Sequence, residues 1–309
     1  MIISYPAAFA NSRKSPFLLV HLPRLCYIFL RVSNWEELGM KTVVITGSTR
    51  GLGFEMAKLF RGAGWNLVVN GVNEDRLKAA VEALRAISGA GEVEGCRGSV
   101  ASTEELQALV DFAASRFGAI DIWINNAGVN QPMKAIWELS EQEIDAILDI
   151  DLRGAVMGSR LAAIRMEKQP EGGFIYNLEG YGSNDAMMLG LNMYGTSKRA
   201  VTHFTQALAK ELAERGGKVK AGRLSPGIMI TDFTVKALGG KESIALPEKT
   251  KKVYNILGDY PDVVAAHLVK GMLENTKNNA HIEWLTSGKA AWRFMTAGFN
   301  KRDFFKETD

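Results

Sequence analysis

A short β-branched run, Lys41-Thr-Val-Val-Ile-Thr46, passes directly into Thr46-Gly-Ser-Thr-Arg-Gly-Leu-Gly53. The three glycines, at 47, 51 and 53, constrain this chain more than any other feature. Glycine lets a strand turn tightly into a helix and lets another group approach the backbone closely. The helix that follows offers free N–H groups and the positive end of its dipole at the turn, which suits a phosphate. The spacing is Gly-x3-Gly-x-Gly, not the Gly-x-Gly-x-x-Gly of the commonest dinucleotide fingerprint. A plain strand-to-helix turn does not need three glycines.

The chain beyond repeats the same strand-then-helix unit. Phe54 to Ala63 reads as a helix ending at Gly62 and Gly64, and Leu67 to Val69 as a strand. Glu74 to Ile87 is helical, with Leu77, Ala80, Val81 and Leu84 on one face. Val93 to Val100 reads as a strand with its exit loop. Thr103 to Phe117 reads as a helix with an N-cap and early acids, Thr103-Glu-Glu105. Ile120 to Ile124 is a further strand. Gln142 to Met166 is a long helix, Gly173 to Leu178 a strand and Tyr194 to Glu214 a helix. Lys218 to Leu224 and His281 to Thr286 read as the last strands. This alternation predicts an α/β fold, a single-domain doubly wound (Rossmann) parallel sheet of about seven strands flanked by helices. No repeat or low-complexity linker interrupts 40–309, so that range is expected to be one catalytic domain.

Composition excludes several other classes. The chain has 309 residues and a net charge of +3, too balanced for a nucleic-acid footprint. Cys26 and Cys96 cannot build a disulfide scaffold, and with four His there is no zinc-ligand spacing, so no metal is expected. Residues 1–39 hold Arg13, Lys14, Arg24 and Arg31 against Glu36 and Glu37, so two of the three surplus charges lie there. Within them, Phe17 to Leu30 is apolar but broken by His21, Pro23 and Arg24, short of the ~20 residues that span a bilayer. No small-residue cleavage site follows Leu30. The segment is expected to be an extension outside the fold, with Met40 an alternative start. Organelle targeting and membrane-surface contact are the other readings. The expected location is cytoplasmic, or plastid if residues 1–39 are a transit peptide.

Tyr194-Gly-Thr-Ser-Lys198 opens a helical pattern, which puts Tyr194 and Lys198 one turn apart on one face. Tyrosine, with an unperturbed pKa of about 10, works in acid–base chemistry near neutrality only where a cation favours the phenolate. Lys198 is placed to be that cation. On its own the pair would also fit an incidental surface contact.

The order of motifs carries more. The Gly-x3-Gly-x-Gly turn, Asn125-Asn-Ala-Gly128 after the fourth strand, Tyr194-x3-Lys198 and then Ser225-Pro-Gly227 together resemble the short-chain dehydrogenase/reductase superfamily, over Met40 to about Thr286. The resemblance implies an NAD(P)H-dependent oxidoreductase interconverting a carbonyl and an alcohol. Tyr194 would be the general acid/base, and Lys198 would bind the nicotinamide ribose and lower the Tyr194 pKa. The cofactor-binding set it implies is Gly47, Ser48, Thr49, Arg50, Gly51, Leu52 and Gly53, then Asn125, Ala127 and Gly128, Tyr194 and Lys198, and finally Pro226, Gly227, Ile228 and Thr231. The segment after the second strand, Val69-Asn-Gly-Val-Asn-Glu74, has no acid directly after the strand to take a ribose hydroxyl, and Arg50 is placed to meet a 2′-phosphate. NADP(H) is therefore the preferred cofactor, with NAD(H) the alternative. Homo-oligomers are common in the family.

Three positions depart from the family pattern. Asn177-Leu-Glu-Gly-Tyr-Gly-Ser183 has Glu179 and Gly180 in place of two serines, so Ser183 becomes the candidate for polarising the carbonyl, ahead of Tyr181. The relay asparagine falls at Asp151, which could hold a relay water as an acceptor when ionised. The adenine-contacting aspartate falls at Ser99. Asn177-x2-Gly-x-Gly-Ser183, Ile122-Trp-Ile-Asn-Asn-Ala-Gly-Val-Asn130, Leu224-Ser-Pro-Gly-x3-Thr-Asp232 and Lys252-Val-Tyr-Asn-Ile-Leu257 resemble the chlorophyll b reductase (non-yellow-colouring) type, though Asp151 departs from the Asn expected there. That type reduces a 7-formyl group to hydroxymethyl. The partner that the resemblance implies is a small hydrophobic carbonyl or alcohol, a chlorophyll pigment among them. Alternatives are a general reductase for another hydrophobic substrate and a non-catalytic dinucleotide sensor. Phe233 to Asp259 lies where the family places its substrate lid. The tail mixes Trp292, Phe294, Met295, Phe299, Phe304 and Phe305 with Lys289, Arg293, Lys301 and Arg302. It suits a pigment or membrane surface, a dimer interface, or an ordinary packed helix.

Overall fold

The computed structural model describes residues 17–22, 25–31, 40–230, 248–299 and 302–305, and divides into two units, Met1–Gly39 and Met40–Asp309. In the first, Phe17–Leu22 and Leu25–Arg31 pair as an antiparallel hairpin. Among the described residues, no helix is long and apolar enough to cross a membrane.

The second unit is built on seven parallel strands: β1 (Thr42–Ile45), β2 (Asn66–Gly71), β3 (Val93–Arg97), β4 (Ile122–Asn125), β5 (Gly173–Leu178), β6 (Val219–Ser225) and β7 (Ala280–Glu283). Their order across the sheet is β3-β2-β1-β4-β5-β6-β7. The run is doubly wound and reverses between β1 and β4, where Val43 faces both Leu67 and Ile122. A crevice therefore opens beyond the carboxyl ends of β1 and β4. β1 is buried along its whole length, as a parallel strand covered on both faces must be.

Helices α1 (Gly51–Gly62), α2 (Glu74–Arg85) and α3 (Thr103–Phe117) link the first strands. α1 begins at Gly51, three residues before the helical periodicity becomes visible, so Gly51, Leu52 and Gly53 form its first turn. The cap of α3 is Ser102, one residue earlier than expected. The long helix expected over Gln142 to Met166 is three pieces. These are α4 (Glu141–Ile147), a wide π-helical turn (Leu148–Arg153) and α5 (Gly154–Met166). Such turns interrupt an α-helix with an extra residue and re-aim side chains, often at functional sites. This one buries Asp151 at 1% exposure.

α6 (Asn192–Glu214), α7 (Glu248–Leu257), α8 (Pro261–Glu274) and α9 (Ser287–Thr296) complete the unit. One core cluster gathers Leu106, Leu109, Leu161, Met166, Ala209 and Leu212 from α3, α5 and α6 against Val44, Trp123 and Ile175 of the sheet. Each large side chain buried this way contributes about 1.5–3 kcal/mol. The framework that carries the loops at the carboxyl edge is thus well packed.

Candidate active site

The glycine turn is shaped by contacts that forbid side chains. Gly47 and Gly51 have φ of +61° and +59°. A Cβ on Gly47 would lie 2.7 Å from Ala127 Cα, and one on Gly53 would lie 2.5 Å from Asn126 Nδ2. Ser48, fully buried, donates to Ile45 O at 2.6 Å and accepts from Asn70 N at 3.1 Å. The Thr46 hydroxyl accepts the N–H groups of Asn126 and Ala127 at 3.0 and 3.1 Å. Asn126 Nδ2 in turn donates to the carbonyls of Thr46 and Gly47 at 2.8 and 3.0 Å. The turn after β1 and the loop after β4 are thus stitched together across the switch point.

The helix end that this turn exposes has no side-chain cap. α2, α3 and α4 are capped by the side chains of Asn73, Ser102 and Ser140 and carry acids in their first turns. α1 has Arg50 at its N-cap, no side-chain cap bond and no acid in its first turn. A crevice too tight for a Cβ, ending on uncapped N–H groups beside an exposed arginine, fits a dinucleotide pyrophosphate. Thr49 lies against Gly71, where a Cβ would come within 2.6 Å of its methyl, and Leu52 is buried behind the turn. The end of β2 carries Asn70, whose amide donates to the carbonyls of Cys96 and Gly98 at 3.1 and 3.0 Å and whose Oδ1 accepts from Gly47 N at 3.3 Å. The Ser99 hydroxyl accepts the Ala101 N–H at 3.2 Å.

Asn125 and Asn126, adjacent in the motif, do different things. Asn125 is buried, donates to Ser159 Oγ and Asn177 Oδ1 at 2.9 and 2.7 Å, and accepts from Trp123 Nε1 at 2.8 Å. Its side chain ties β4 to β5 and α5. The side chain that reaches the phosphate turn is that of Asn126, which the sequence reading passed over. Gly128 lies against Asp151, whose carboxylate oxygens would be 3.4 Å from a Cβ at that position.

Tyr194 and Lys198 sit on the first turns of α6, both nearly buried, with Nζ 5.5 Å from the tyrosine ring centroid. Lys198 Nζ lies 3.2 Å from Asp151 Oδ2, and the Val129 N–H donates to Asp151 Oδ1 at 2.7 Å. Burial pushes the Tyr194 hydroxyl above the ordinary tyrosine range; the Lys198 charge opposes this, while Asp151 and Tyr254 add to it. Burial would lower Lys198, but Asp151 first, then Tyr194, carry it above the usual lysine range. Burial raises Asp151, against Lys198 and the Val129 N–H. The arrangement can hold a proton on a phenol and modulate its release by a paired ammonium.

The loop from Glu179 to Ser183 packs against this helix through missing side chains. A Cβ on Gly180 would be 2.4 Å from the Tyr194 hydroxyl oxygen, and one on Gly182 would be 2.5 Å from Gly195 Cα. The Ser183 hydroxyl donates to the Lys198 carbonyl at 3.3 Å and accepts the Gly180 N–H at 3.2 Å. Ser183 is thus brought against the backbone of the catalytic-type helix. Glu179 is also buried. His281 Nε2 lies 2.9 Å from Oε2, and Oε1 lies 3.0 Å from the Thr202 hydroxyl and 3.4 Å from Arg223 Nη1. Burial pushes its carboxyl up, but His281, Thr202 and Arg223 together bring it below the ordinary range.

Pro226, Gly227 and Ile228 follow the carboxyl end of β6, with Gly227 at φ +70° and tight against Leu285. Thr231, and the expected lid from Phe233 up to residue 247, lie outside the described residues. The rest of that range is α7, which brings Tyr254 toward Tyr194. The tail divides into two halves. Trp292, Phe294, Met295 and Phe299 are exposed, while Phe304 and Phe305 pack on Tyr260 and Tyr254 at ring-centroid distances of 5.1 and 6.2 Å. Among the described residues, no cluster of His, Cys, Asp and Glu is set to hold a metal.

A switch-point crevice over glycines, beside a buried tyrosine and lysine one turn apart, defines a dinucleotide-dependent oxidoreductase. The family model for short chain dehydrogenases matches residues 41–241, and the chain belongs to that family. It is 34% identical over 260 residues to chlorophyll(ide) b reductase NOL, chloroplastic, of Oryza sativa subsp. japonica, covering 82% of this chain and 74% of that one. It is 33% identical to 3beta-hydroxysteroid dehydrogenase 1 of Eggerthella lenta, over 75% of this chain and 87% of that one. Among solved structures it is similar to a 7α-hydroxysteroid dehydrogenase complexed with NADH and 7-oxo glycochenodeoxycholic acid. There the TM-score is 0.68 and the identity 26%, with 80% of this chain and 93% of that one covered.

Proposed function

We propose that this chain reduces the carbonyl of a large hydrophobic substrate with NADPH, as a chlorophyll(ide) b reductase does when it turns a formyl group into a hydroxymethyl. The observation that carries the reading is the buried Tyr194–Lys198 pair set beside a phosphate crevice at the sheet's switch point. A bound nicotinamide dinucleotide supplies the hydride for the carbonyl carbon. Tyr194 holds the proton that the carbonyl oxygen takes up, and Lys198 tunes that proton and would hold the ribose of the dinucleotide. Ser183 and Asp151 keep Lys198 and its helix in position. Gly47, Ser48, Thr49, Arg50, Gly51, Leu52 and Gly53 would hold the pyrophosphate, and Ala127, Gly128 and Pro226 to Ile228 would hold the nicotinamide. An exposed Arg50, with no acid directly after β2 in Gly71-Val-Asn73, favours NADP(H) over NAD(H).

The hydrophobic character of the substrate is supported by the rim of the site. Met133, Ile136 and Trp137 stand exposed on one loop, and Met187 and Leu189 on the next, at 84% for Trp137 and above 90% for the last two. Gly190 packs on the backbone of Met133, so the two loops are neighbours. Exposed apolar groups this close together mark ligand or surface contacts. The rice relative favours a pigment and, with its chloroplastic name, a plastid location. The comparable identity to the hydroxysteroid enzyme keeps a polycyclic ketone or alcohol as the second reading. A non-catalytic sensor has no use for a buried Tyr–Lys pair.

The test is NADPH and NADH oxidation against a panel holding chlorophyll b, chlorophyllide b, a steroid ketone and simple aldehydes. Turnover on the pigments with NADPH is the expected outcome; turnover on the steroid alone would replace the pigment reading. Tyr194→Phe is expected to lower kcat at least 1000-fold, about 4 kcal/mol, while cofactor binding persists. A variant that keeps its activity would refute the assignment of Tyr194.

A further inference from the structure

Asp151 stands where the family pattern has a neutral asparagine, and the difference is one full charge beside the tyrosine. We propose that Asp151 biases this site toward carbonyl reduction by pairing with Lys198, so that Tyr194 keeps its proton under ordinary conditions. The inference rests on Tyr194 being the acid–base group.

The geometry is specific. Lys198 Nζ and Asp151 Oδ2 are 3.2 Å apart, with the two side chains 6% and 0% exposed. Asp151 cannot swing away, because the Val129 N–H holds its other oxygen at 2.7 Å and the widened turn buries it. A solitary buried ammonium draws a neighbouring phenol toward the phenolate. Paired with a carboxylate it presents a dipole, and its pull on the phenol is largely cancelled. Among the described residues, the charged and titratable groups that act on Tyr194 include Lys198 on its own helix, Asp151 on the π turn and Tyr254 on α7, with Tyr181 acting on Tyr254. Of these only Lys198 favours the phenolate, and Asp151 offsets it.

The two directions of the reaction ask opposite things of the tyrosine. In reduction the O–H bond of Tyr194 breaks and its proton passes to the carbonyl oxygen, while the carbonyl carbon takes a hydride from the reduced dinucleotide. The tyrosinate is then reprotonated from water. Oxidation of the alcohol must begin from the phenolate. A site that stabilises the phenol therefore serves reduction and penalises oxidation near neutrality.

The test is the ionisation of Tyr194 in the unliganded protein. It is followed by phenolate ultraviolet absorbance on alkaline titration, with the matching Tyr194→Phe chain subtracted. Asp151→Asn is expected to bring the Tyr194 titration down by about one pH unit or more, and Asp151→Glu to return it toward that of the parent. Asp151→Ser provides a second neutral variant if the asparagine chain does not fold. An unchanged titration in the neutral variants overturns the proposal. Where turnover is found, Asp151→Asn is also expected to raise the kcat of alcohol oxidation near pH 7 about tenfold relative to the kcat of carbonyl reduction, both at saturating substrate and dinucleotide. An unaltered ratio of the two rates counts against the bias. A panel without turnover would refute the proposed function while leaving the absorbance readout able to decide the charge question.

Discussion

Glu179 shows how much a single residue does at this site. It occupies a position where the family pattern has serine, and it joins β5 to α6, β6 and β7 through Thr202, Arg223 and His281. Removing one member of a buried ion pair strands the other and costs about 3–5 kcal/mol. Glu179→Gln is therefore expected to lose about 3 kcal/mol of stability near neutrality, measured by urea unfolding. The pH dependence follows from the sign of the shift. The folded carboxyl sits below its unfolded value, so ionised Glu179 stabilises the fold fully above pH ~4.3 and loses that contribution as pH falls through the lower folded value. The gap between parent and variant should accordingly close below about pH 4; a gap constant through that window would show that charge is not the cause.

At the scale of elements, α7 is held from outside. Arg302 bonds the carbonyls of Ile256 and Gly258 and pairs with Asp259 at 3.1 Å, and Arg293 bonds the Leu257 carbonyl at 2.9 Å. Guanidinium groups on the last carbonyls of a helix also complement its dipole. Arg302→Ala is expected to raise amide exchange over residues 252–257 and to raise substrate KM several-fold while leaving dinucleotide affinity unchanged. Equal exchange in both proteins would mean that the tail does not hold α7. These contacts also mark what a sequence does and does not disclose. Strand and helix order was legible because β-branched runs and apolar periodicity are local, as were Gly47 to Gly53 and the Tyr194–Lys198 spacing. The π turn was not, because the helical period runs almost unbroken from Gln142 to Met166. Neither was the Glu179 hub, whose partners lie 23, 44 and 102 residues away. The roles of Asn125 and Asn126 could not be separated either, since both suit a turn and only the fold decides which side chain faces the crevice.

For the molecule as a whole, the cross-stitching of the glycine turn to the loop after β4 has a thermodynamic consequence. Thr46, Asn126 and Ala127 already hold the two halves of the sheet together at the place where a dinucleotide would lie. Around these residues little of the described chain remains to be ordered when that ligand arrives, so this part of the site should add only a small conformational entropy cost to association. Titration calorimetry of NADPH is expected to give a heat-capacity change in keeping with the ligand's own buried surface. A change several times larger would reveal coupled folding. Asn126→Ala would remove the Nδ2 bonds that bridge the two halves and let each move separately. A cleft made stiff in advance also discriminates poorly by reshaping itself, so selection among substrates would fall to the exposed apolar groups Met133, Ile136, Trp137, Met187 and Leu189.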